Sequence, residues 1–408
     1  MSATQIENPP GAVPRAEPAF DEPESPLGHL TPEQIEQLGR EFDAIHEEVF
    51  ADLGERDAHY IRSIIALHRW LALGGRALLI GSRRRPLWLL GTASLSLAKI
   101  LENMEIGHNV MHGQWDWMND PEIHSGTWEW DTTCPADQWK HSHNFVHHTF
   151  TNVLGKDNDV GYGILRVTSD QRWHPINLGQ PVYNALLALL FEWGVALHDL
   201  DIVAIRKREK DPNELKRQLK GIWRKVRRQV GKDYIIFPVL SGPNFLTTLS
   251  ANVTANLVRN LWAYMIIFCG HFPDGAEKFT EEELKDESKS EWYLRQLLGS
   301  ANFQGGRFLH VMSGSLGYQI EHHLFPDLPS NRYPEIAERV RALCEKYHLP
   351  YTTGPVYRQY GQVLRTIFRL SFPTKSTSPG SDSPRPGRAT PEELGCHAGP
   401  LAPQAAVA

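Results

Sequence analysis

Apolar residues recur at helical spacing over residues 32–53 (Ile35, Leu38, Phe42, Ile45, Val49, Phe50), which predicts an amphipathic helix capped by Thr31 with Pro32 at its first position. Its polar face is acidic, so it belongs in water. Two longer apolar stretches follow, about 64–82 and 86–104, separated by Arg83, Arg84, Arg85 and Pro86. Each is near the length that crosses a bilayer, with Arg69, Arg76 and Lys99 as charged interruptions, and together they predict a hairpin of two spans. The three arginines at its far turn oppose the positive-inside tendency. Residues 182–198 predict an interfacial helix, and the region 234–269, broken near Ser241 to Asn244, predicts a second hairpin. The expected fold class is therefore all-α: multi-pass membrane helices, about four spans in two hairpins, with a cytosolic helical cap. The expected organisation is a disordered segment over 1–30, the acidic amphipathic helix over 31–60, a membrane domain over 61–372 and a disordered Pro/Ser-rich tail over 373–408.

Charge sharpens this picture. Residues 1–60 carry 14 Asp/Glu against 3 Lys/Arg within an overall charge of −6, which leaves the remainder mildly basic. No basic segment followed by an apolar one opens the chain, so no secretory signal is visible, and the active part is expected on the cytoplasmic side of the cell membrane. Mean hydropathy is −0.39, which fits a multi-pass protein only where most of the chain forms the cap. Cys134, Cys269, Cys344 and Cys396 lie far apart without CxxC spacing, which argues against a disulfide framework or a thiolate metal site. The basic run from Arg206 to Lys232 contains no nucleic-acid reader motif and is interrupted by Glu209, Asp211 and Glu214, so a juxtamembrane or solvated helix explains it better.

Candidate chemistry lies in three histidine clusters: HNVMH from His108 to His112, HNFVHH from His143 to His148, and QIEHHLFP with His322 and His323. With 19 histidines in 408 residues, chance supplies roughly one HxxxH but only about 0.04 of an HxxxHH. On an α-helix His108 with His112, and His143 with His147, stand one above the other, so each pair can close on one metal ion, while His148 can reach a second. So many neutral imidazoles exceed what one tetrahedral zinc uses, and two irons are the simplest reading.

These clusters resemble the three histidine boxes of the membrane fatty acid desaturases. The resemblance rests on GHNVMHGQWDW, HNFVHHTFTN with the following KDNDVGYG, and QIEHHLFPDLP, in the family's order and spacing, and covers roughly residues 60 to 350. Within the family the chain is similar to the actinobacterial NADPH-dependent stearoyl-CoA desaturases. What the resemblance implies is a di-iron centre that uses O2 to remove two hydrogens from adjacent methylenes of an acyl chain, leaving a cis double bond, at carbon 9 of a saturated C16–C18 acyl-CoA. An unactivated C–H bond has no acidic proton and no leaving group, so a metal-bound oxidant is the chemistry required. The implied iron ligands are His108, His112, His143, His147, His148, His322 and His323, with His271 in CGHFPDG at the place of a further family histidine. His310, Gln319, Asp157 and Asp159 are implied as neighbours of the ligands or as alternative ligands, and Glu321 and Asp116 invite the same reading or that of a polar turn. Two departures stand out: some relatives have a histidine at the place of Gln319, and some an asparagine at the place of Ile267. Arg206, Lys207 and Arg208 are candidates to hold the CoA phosphates.

Five of the twelve tryptophans (Trp115, Trp117, Trp128, Trp130, Trp139) fall between the first two boxes, placed to wall an acyl tunnel, sit at an interface or fill ordinary core. Neither a GxGxxG after a strand nor a haem-type HPGG element is present, so NADPH is expected to act through a separate flavin and iron–sulfur oxidoreductase. The alternative enzyme is a di-iron membrane hydroxylase. A soluble carboxylate-bridged enzyme would need two Glu-x-x-His motifs, and Glu105 to His108 supplies one. The non-enzymatic alternative, a metal-binding transporter or receptor, places ligands inside its spans, whereas these clusters adjoin polar, Trp-rich segments.

Overall fold

The computed structural model describes residues 27–198, 200, 205 and 210–374. The segments expected to be disordered lie almost wholly outside them, and so do Arg206, Lys207 and Arg208. In chain order the structure contains α1 (Pro32–Ala51), α2 (Glu55–Leu79), α3 (Arg85–Leu101), α4 (Ala136–Trp139), α5 (Gln180–Leu189), α6 (Phe191–His198), α7 (Pro212–Val230), α8 (Phe245–His271), α9 (Lys289–Leu298), β1 (Asn302–Gln304), α10 (Arg307–Met312), α11 (Gln319–Leu324), α12 (Tyr333–Lys346), β2 (Thr353–Pro355) and α13 (Val356–Leu370). The strands form one short parallel pair in register Asn302 to Thr353. Helices carry nearly everything else.

Local chemistry sets the boundaries. At α1 the Thr31 side chain accepts from the Gln34 amide while Gln34 reaches back to the Thr31 amide, so the predicted cap forms with Pro32 in the first turn. The buried stripe of α1 (Leu38, Phe42, Ile45, Val49) packs on Tyr293, Leu297, Phe325 and Ile336 from α9, α12 and the segment after α11. A second core joins α2, α3, α8 and α13 through Ile61, Leu101, Tyr264, Phe268 and Val363. The expected first hairpin is present as α2 and α3, whose closest approach is at Gly75 and Gly91. A Cβ on either would lie 3.1 Å from the other's carbonyl oxygen. The expected second hairpin is instead a short arm, 231–240, before the 27-residue α8.

The expectation of membrane spans is overturned: among the described residues no helix is both long and apolar enough to cross a membrane. The reason lies in what these helices bury. Lys99 of α3 and Arg76 of α2 converge on Asp233, at 2.6 and 3.3 Å. Asn252 and Asn256 of α8 bond to the same residue. Arg259 of α8 pairs with Glu192 of α6 at 2.5 Å. Each group is charged or amide-bearing, and all but the partly buried Arg76 are buried, so each lowers the hydropathy of its helix while pointing inward. The region 182–198, expected as one interfacial helix, breaks at Leu190 into α5 and α6 and packs Asn184, Leu187 and Phe191 against the core.

One ion pair ties the two cores. Arg332, just before α12, grips Asp57 near the start of α2 with Nε to Oδ1 at 2.6 Å and a terminal nitrogen to Oδ2 at 2.7 Å, both side chains fully buried. Arg332 also reaches Asp52 and Glu335, each at 2.8 Å, but both of those carboxylates are largely exposed, so removing Asp57 takes away its one buried counter-ion, and removing Arg332 leaves buried Asp57 without its closest cation. Asp57→Ala or Arg332→Met is therefore expected to cost about 3–5 kcal/mol, and the double variant Asp57→Leu/Arg332→Met much less than the sum. Denaturation midpoints measure both, and additive losses would show that the pair is not coupled.

Candidate metal centre

The first two histidine clusters sit on distorted helix. After α3 the chain continues as a π-helical turn, Glu102–His108, and after α4 as another, Lys140–His147. Such turns insert an extra residue, loosen the hydrogen-bond ladder and re-aim side chains, and they occur mainly at functional sites. The third cluster lies on α11, and His271 closes α8. Gly270 makes room beside it, because a Cβ there would lie 2.7 Å from the Gln319 side chain.

These elements bring all eight predicted histidines together. His108, His112, His143 and His322 present ring nitrogens within 4.8 Å of one another, and His147, His271 and His323 form a second such group. The pair His108 and His112 stays together, as helical spacing predicts. The pair His143 and His147 also stays together, rings stacked at 5.0 Å and both grouped with Asp159, while His143 belongs in addition to the first group and His147 to the second. His148 lies between the groups, its ring 4.9 Å from that of His322 and 4.4 Å from that of His323.

Most of these rings are held at one nitrogen. Nδ1 of His108 meets Asn109 Oδ1 at 2.9 Å, Nδ1 of His147 meets Asp157 at 3.0 Å, and Nδ1 of His143 faces Asp159 at 3.5 Å. Nδ1 of His322 meets the Tyr333 hydroxyl at 3.1 Å, and Nδ1 of His323 meets Gln296 Oε1 at 3.0 Å. The opposite nitrogens of His112, His143, His147, His322 and His323, Nδ1 of His271 and both nitrogens of His148 are buried with no hydrogen-bond partner in the protein. Buried polar atoms are ordinarily satisfied. Imidazoles held at one nitrogen and bare at the other, converging in groups, are a donor set that could hold metal ions.

Burial also fixes protonation. It pushes His108 down to about 3 and holds His112, His148, His271, His322 and His323 well below the ordinary imidazole value, with neighbouring imidazoles adding to the effect. His143 is also lowered, by burial against the opposing pull of Asp159. At His147 burial works in the same direction, but Asp157 outweighs it and the value rises.

The remaining candidates divide. Asp157 also accepts the Asn152 amide at 2.8 Å and so clamps the turn that follows the second cluster. Gln319 bonds His271 at 3.1 Å. His310 is not brought to the cluster; it stacks on Tyr318 at 4.5 Å beside an open groove. Glu321 accepts from Asn302 and Tyr351, with burial raising it to about 7, and Asp116 accepts from Ser125 in a turn. Glu105 faces Tyr60 and Ser330 rather than the histidines.

Sequence reasoning missed Asn109, which lies inside the first cluster, Gln296 and Tyr333, which no motif marks, and His198, whose Nε2 lies 2.9 Å from Asp159. Of the five clustered tryptophans, Trp139 stacks on His143 at 4.4 Å and Trp130 packs on Trp139 at 5.2 Å. Both line a narrow cavity of about 70 Å³ that runs past His108, His143, His147 and His271 to Tyr162, Phe191 and the Arg259–Glu192 pair.

Comparison with known proteins adds to this geometry. The model of the fatty acid desaturase family matches residues 85–355. Over 360 residues the chain is 55% identical to the NADPH-dependent stearoyl-CoA 9-desaturase of Mycobacterium tuberculosis, covering 87% of this chain and 84% of that protein. It is 24% identical over 334 residues to an sn-1 linoleoyl-lipid 6-desaturase of Synechocystis, covering 79% of this chain and 90% of that one.

The protonation pattern predicts an acid-sensitive apoprotein. Unfolded imidazoles take up protons near 6.5 while the buried ones refuse them, so the unfolded state binds more protons and stability falls with falling pH, by up to about 1.4 kcal/mol per pH unit for each such group. His147 acts oppositely: its contribution is fully present below about 6.5 and lost as pH rises through its higher folded value. After chelation the denaturation midpoint should drop between about pH 7.5 and 5. Thermal melts across that range test this, and a flat profile would contradict burial of neutral rings.

Proposed function

The chain belongs to the fatty acid desaturase family, and from that premise we propose that it introduces a cis double bond at carbon 9 of a saturated C16–C18 acyl-CoA, using O2 and two irons held by its eight clustered histidines. The observation that carries this reading is the convergence of buried imidazoles whose bare nitrogens have no partner within the protein. His108, His112, His143 and His322 would hold one ion and His147, His271 and His323 the other, with His148 between them. An imidazole-rich site of this kind suits iron among the available divalent metals, and iron would supply the oxidising power that breaks unactivated C–H bonds.

The chain's own residues do the positioning. Asp157, Asn109, Tyr333 and Gln296 fix ring orientation from the far nitrogens, which sets how well the bare ones can bind. For Nδ1 of His271 to ligate, its Nε2 must carry the proton, so Gln319 would turn its amide oxygen toward that ring. In this role Gln319 orients a ligand where some relatives have a histidine. Trp130, Trp139, Tyr162 and Phe191 would hold the acyl chain beside the cluster and exclude water, and the polar Arg259–Glu192 pair closes the far end. The fixed depth of such a cavity selects one methylene pair. The 55% identity to a stearoyl-CoA 9-desaturase supports carbon 9 and an acyl-CoA substrate. Because the acyl chain is insoluble and its carrier soluble, we place the reaction at the cytoplasmic face of a membrane. The exposed apolar residues Trp70, Leu73, Leu89, Leu90, Val239, Leu240 and Leu246 support contact with lipid there.

Two outcomes are expected. Purified protein should contain about two irons per chain and little zinc by elemental analysis; stoichiometric zinc without iron would remove the metal assignment. Expressed in a host without its own desaturase, the chain should convert stearate to oleate, located by mass spectrometry of derivatised fatty acids. His147→Ala and His322→Ala should yield none while still folding. A hydroxylated product would move the assignment to a hydroxylase.

A further inference from the structure

α7 carries a face that the proposed reaction leaves unused. Lys216, Arg217, Lys220, Arg224, Arg227 and Arg228 are exposed along one side. Apart from Arg217, which pairs with Glu214, none makes an ion pair with a described residue. At 100° per residue, Leu219 and Trp223 lie between this cationic arc and the buried edge, and they are 46% and 62% exposed. In a chain of net charge −6 this is a strong local excess of positive charge. An exposed tryptophan beside arginines is the composition of a binding hot spot.

The buried edge of the same helix rests on the wall of the histidine cluster. Ile222 belongs to one core with Met111, Cys134, Trp130 and Trp139, and Lys225 Nζ donates to the Trp130 carbonyl. Trp130 then packs on Trp139 at 5.2 Å, and Trp139 stacks on the His143 ring at 4.4 Å with 22° between planes. An unbroken line of aromatic contact thus runs from beneath the cationic face to a candidate ligand.

We propose that the cationic face of α7 docks an acidic one-electron donor, an iron–sulfur or flavin protein, and that Trp130 and Trp139 connect this face to the histidine cluster. This rests on the desaturase reading. Removing two hydrogens from a –CH2–CH2– unit releases two electrons and two protons, whereas reducing O2 to two waters consumes four of each. The docked donor supplies the other two electrons, being oxidised once for each, and solvent supplies two protons. Positive charge on α7 would steer an acidic donor into place, and Trp223 would anchor it. An anionic lipid surface accounts for the cations and Trp223 but not for the aromatic line beneath them.

The test uses full-length detergent-solubilised protein and an acidic [2Fe–2S] ferredoxin as probe. Surface plasmon resonance should show binding that weakens as ionic strength rises. The variant Lys216→Glu/Lys220→Glu/Arg224→Glu/Arg227→Glu should bind at least about tenfold more weakly, mainly through a slower on-rate. Trp130→Leu should keep the probe's affinity and the iron content but slow oxidation of the reduced probe in stopped flow. Circular dichroism and iron content control for folding. No binding by the parent protein, or unchanged affinity after charge reversal, overturns the docking face; unchanged probe oxidation in Trp130→Leu overturns the connection. Charge reversal that abolishes binding to phosphatidylglycerol vesicles and spares the ferredoxin assigns the face to lipid instead. Turnover of stearoyl-CoA by the parent protein with a small-molecule reductant tests the desaturase reading separately.

Discussion

Eight imidazoles packed ring against ring can be buried only where nearly all are uncharged, and the rest of the structure serves that constraint. Water is excluded by Trp139 on one side and by the core around Leu101, Met104 and Phe268 on the other. Exclusion drives protons off the rings, because a buried cation without a partner is far costlier than a neutral ring. The one histidine with a raised value, His147, has Asp157 beside it. Asp157 raises His147, whereas at His143 burial outweighs Asp159, and at His108, His322 and His323 amides and a hydroxyl stand instead and burial lowers the ring.

The scaffold reaches this centre through polar contacts as much as apolar ones. Asp233 gathers Arg76 and Lys99, Arg259 meets Glu192 beside the cavity, and Arg332 grips Asp57 between the two cores. Such pairs fix the register of α2, α3, α6 and α8 relative to each other, which simple hydrophobic burial does with less directional precision. The same polar groups lower the hydropathy of α2 and α8, and α3 is only 17 residues long. Hydropathy counts each charged residue at its cost in lipid, whereas Lys99 and Arg259 face other helices.

The two ends of the cavity differ in kind. At one end neutral imidazoles converge; at the other the Arg259–Glu192 pair forms a polar floor beneath aromatic walls. An acyl chain is flexible and uniform along its length, so position within it can be measured only from fixed ends. On the proposed reading the floor and the rings would supply two such ends, and the aromatic walls would hold the chain between them.

Much of the site was legible in the sequence, because HxxxHH is too improbable to be incidental, the other two clusters stand in order around it, and imidazole chemistry is specific. Thr31 and Pro32 likewise marked the start of α1 through local hydrogen bonding alone, and Arg83 to Arg85 marked the turn between α2 and α3. Local rules could not say how the histidines divide. His143 and His147 look like one helical pair and do meet beside Asp159, yet each also joins a different set of imidazoles, and His310, equally histidine, ends beside Tyr318. Nor could they identify Gln296 and Tyr333, whose role exists only because α9 and α12 pack against α11. The amino-acid sequence by itself determined the chemistry and the helical character, since ligand type and periodicity are properties of neighbouring residues. Which nitrogens are held, which helices turn their charges inward and which tryptophans wall the centre were decided only by tertiary packing, because each depends on partners brought from far along the chain.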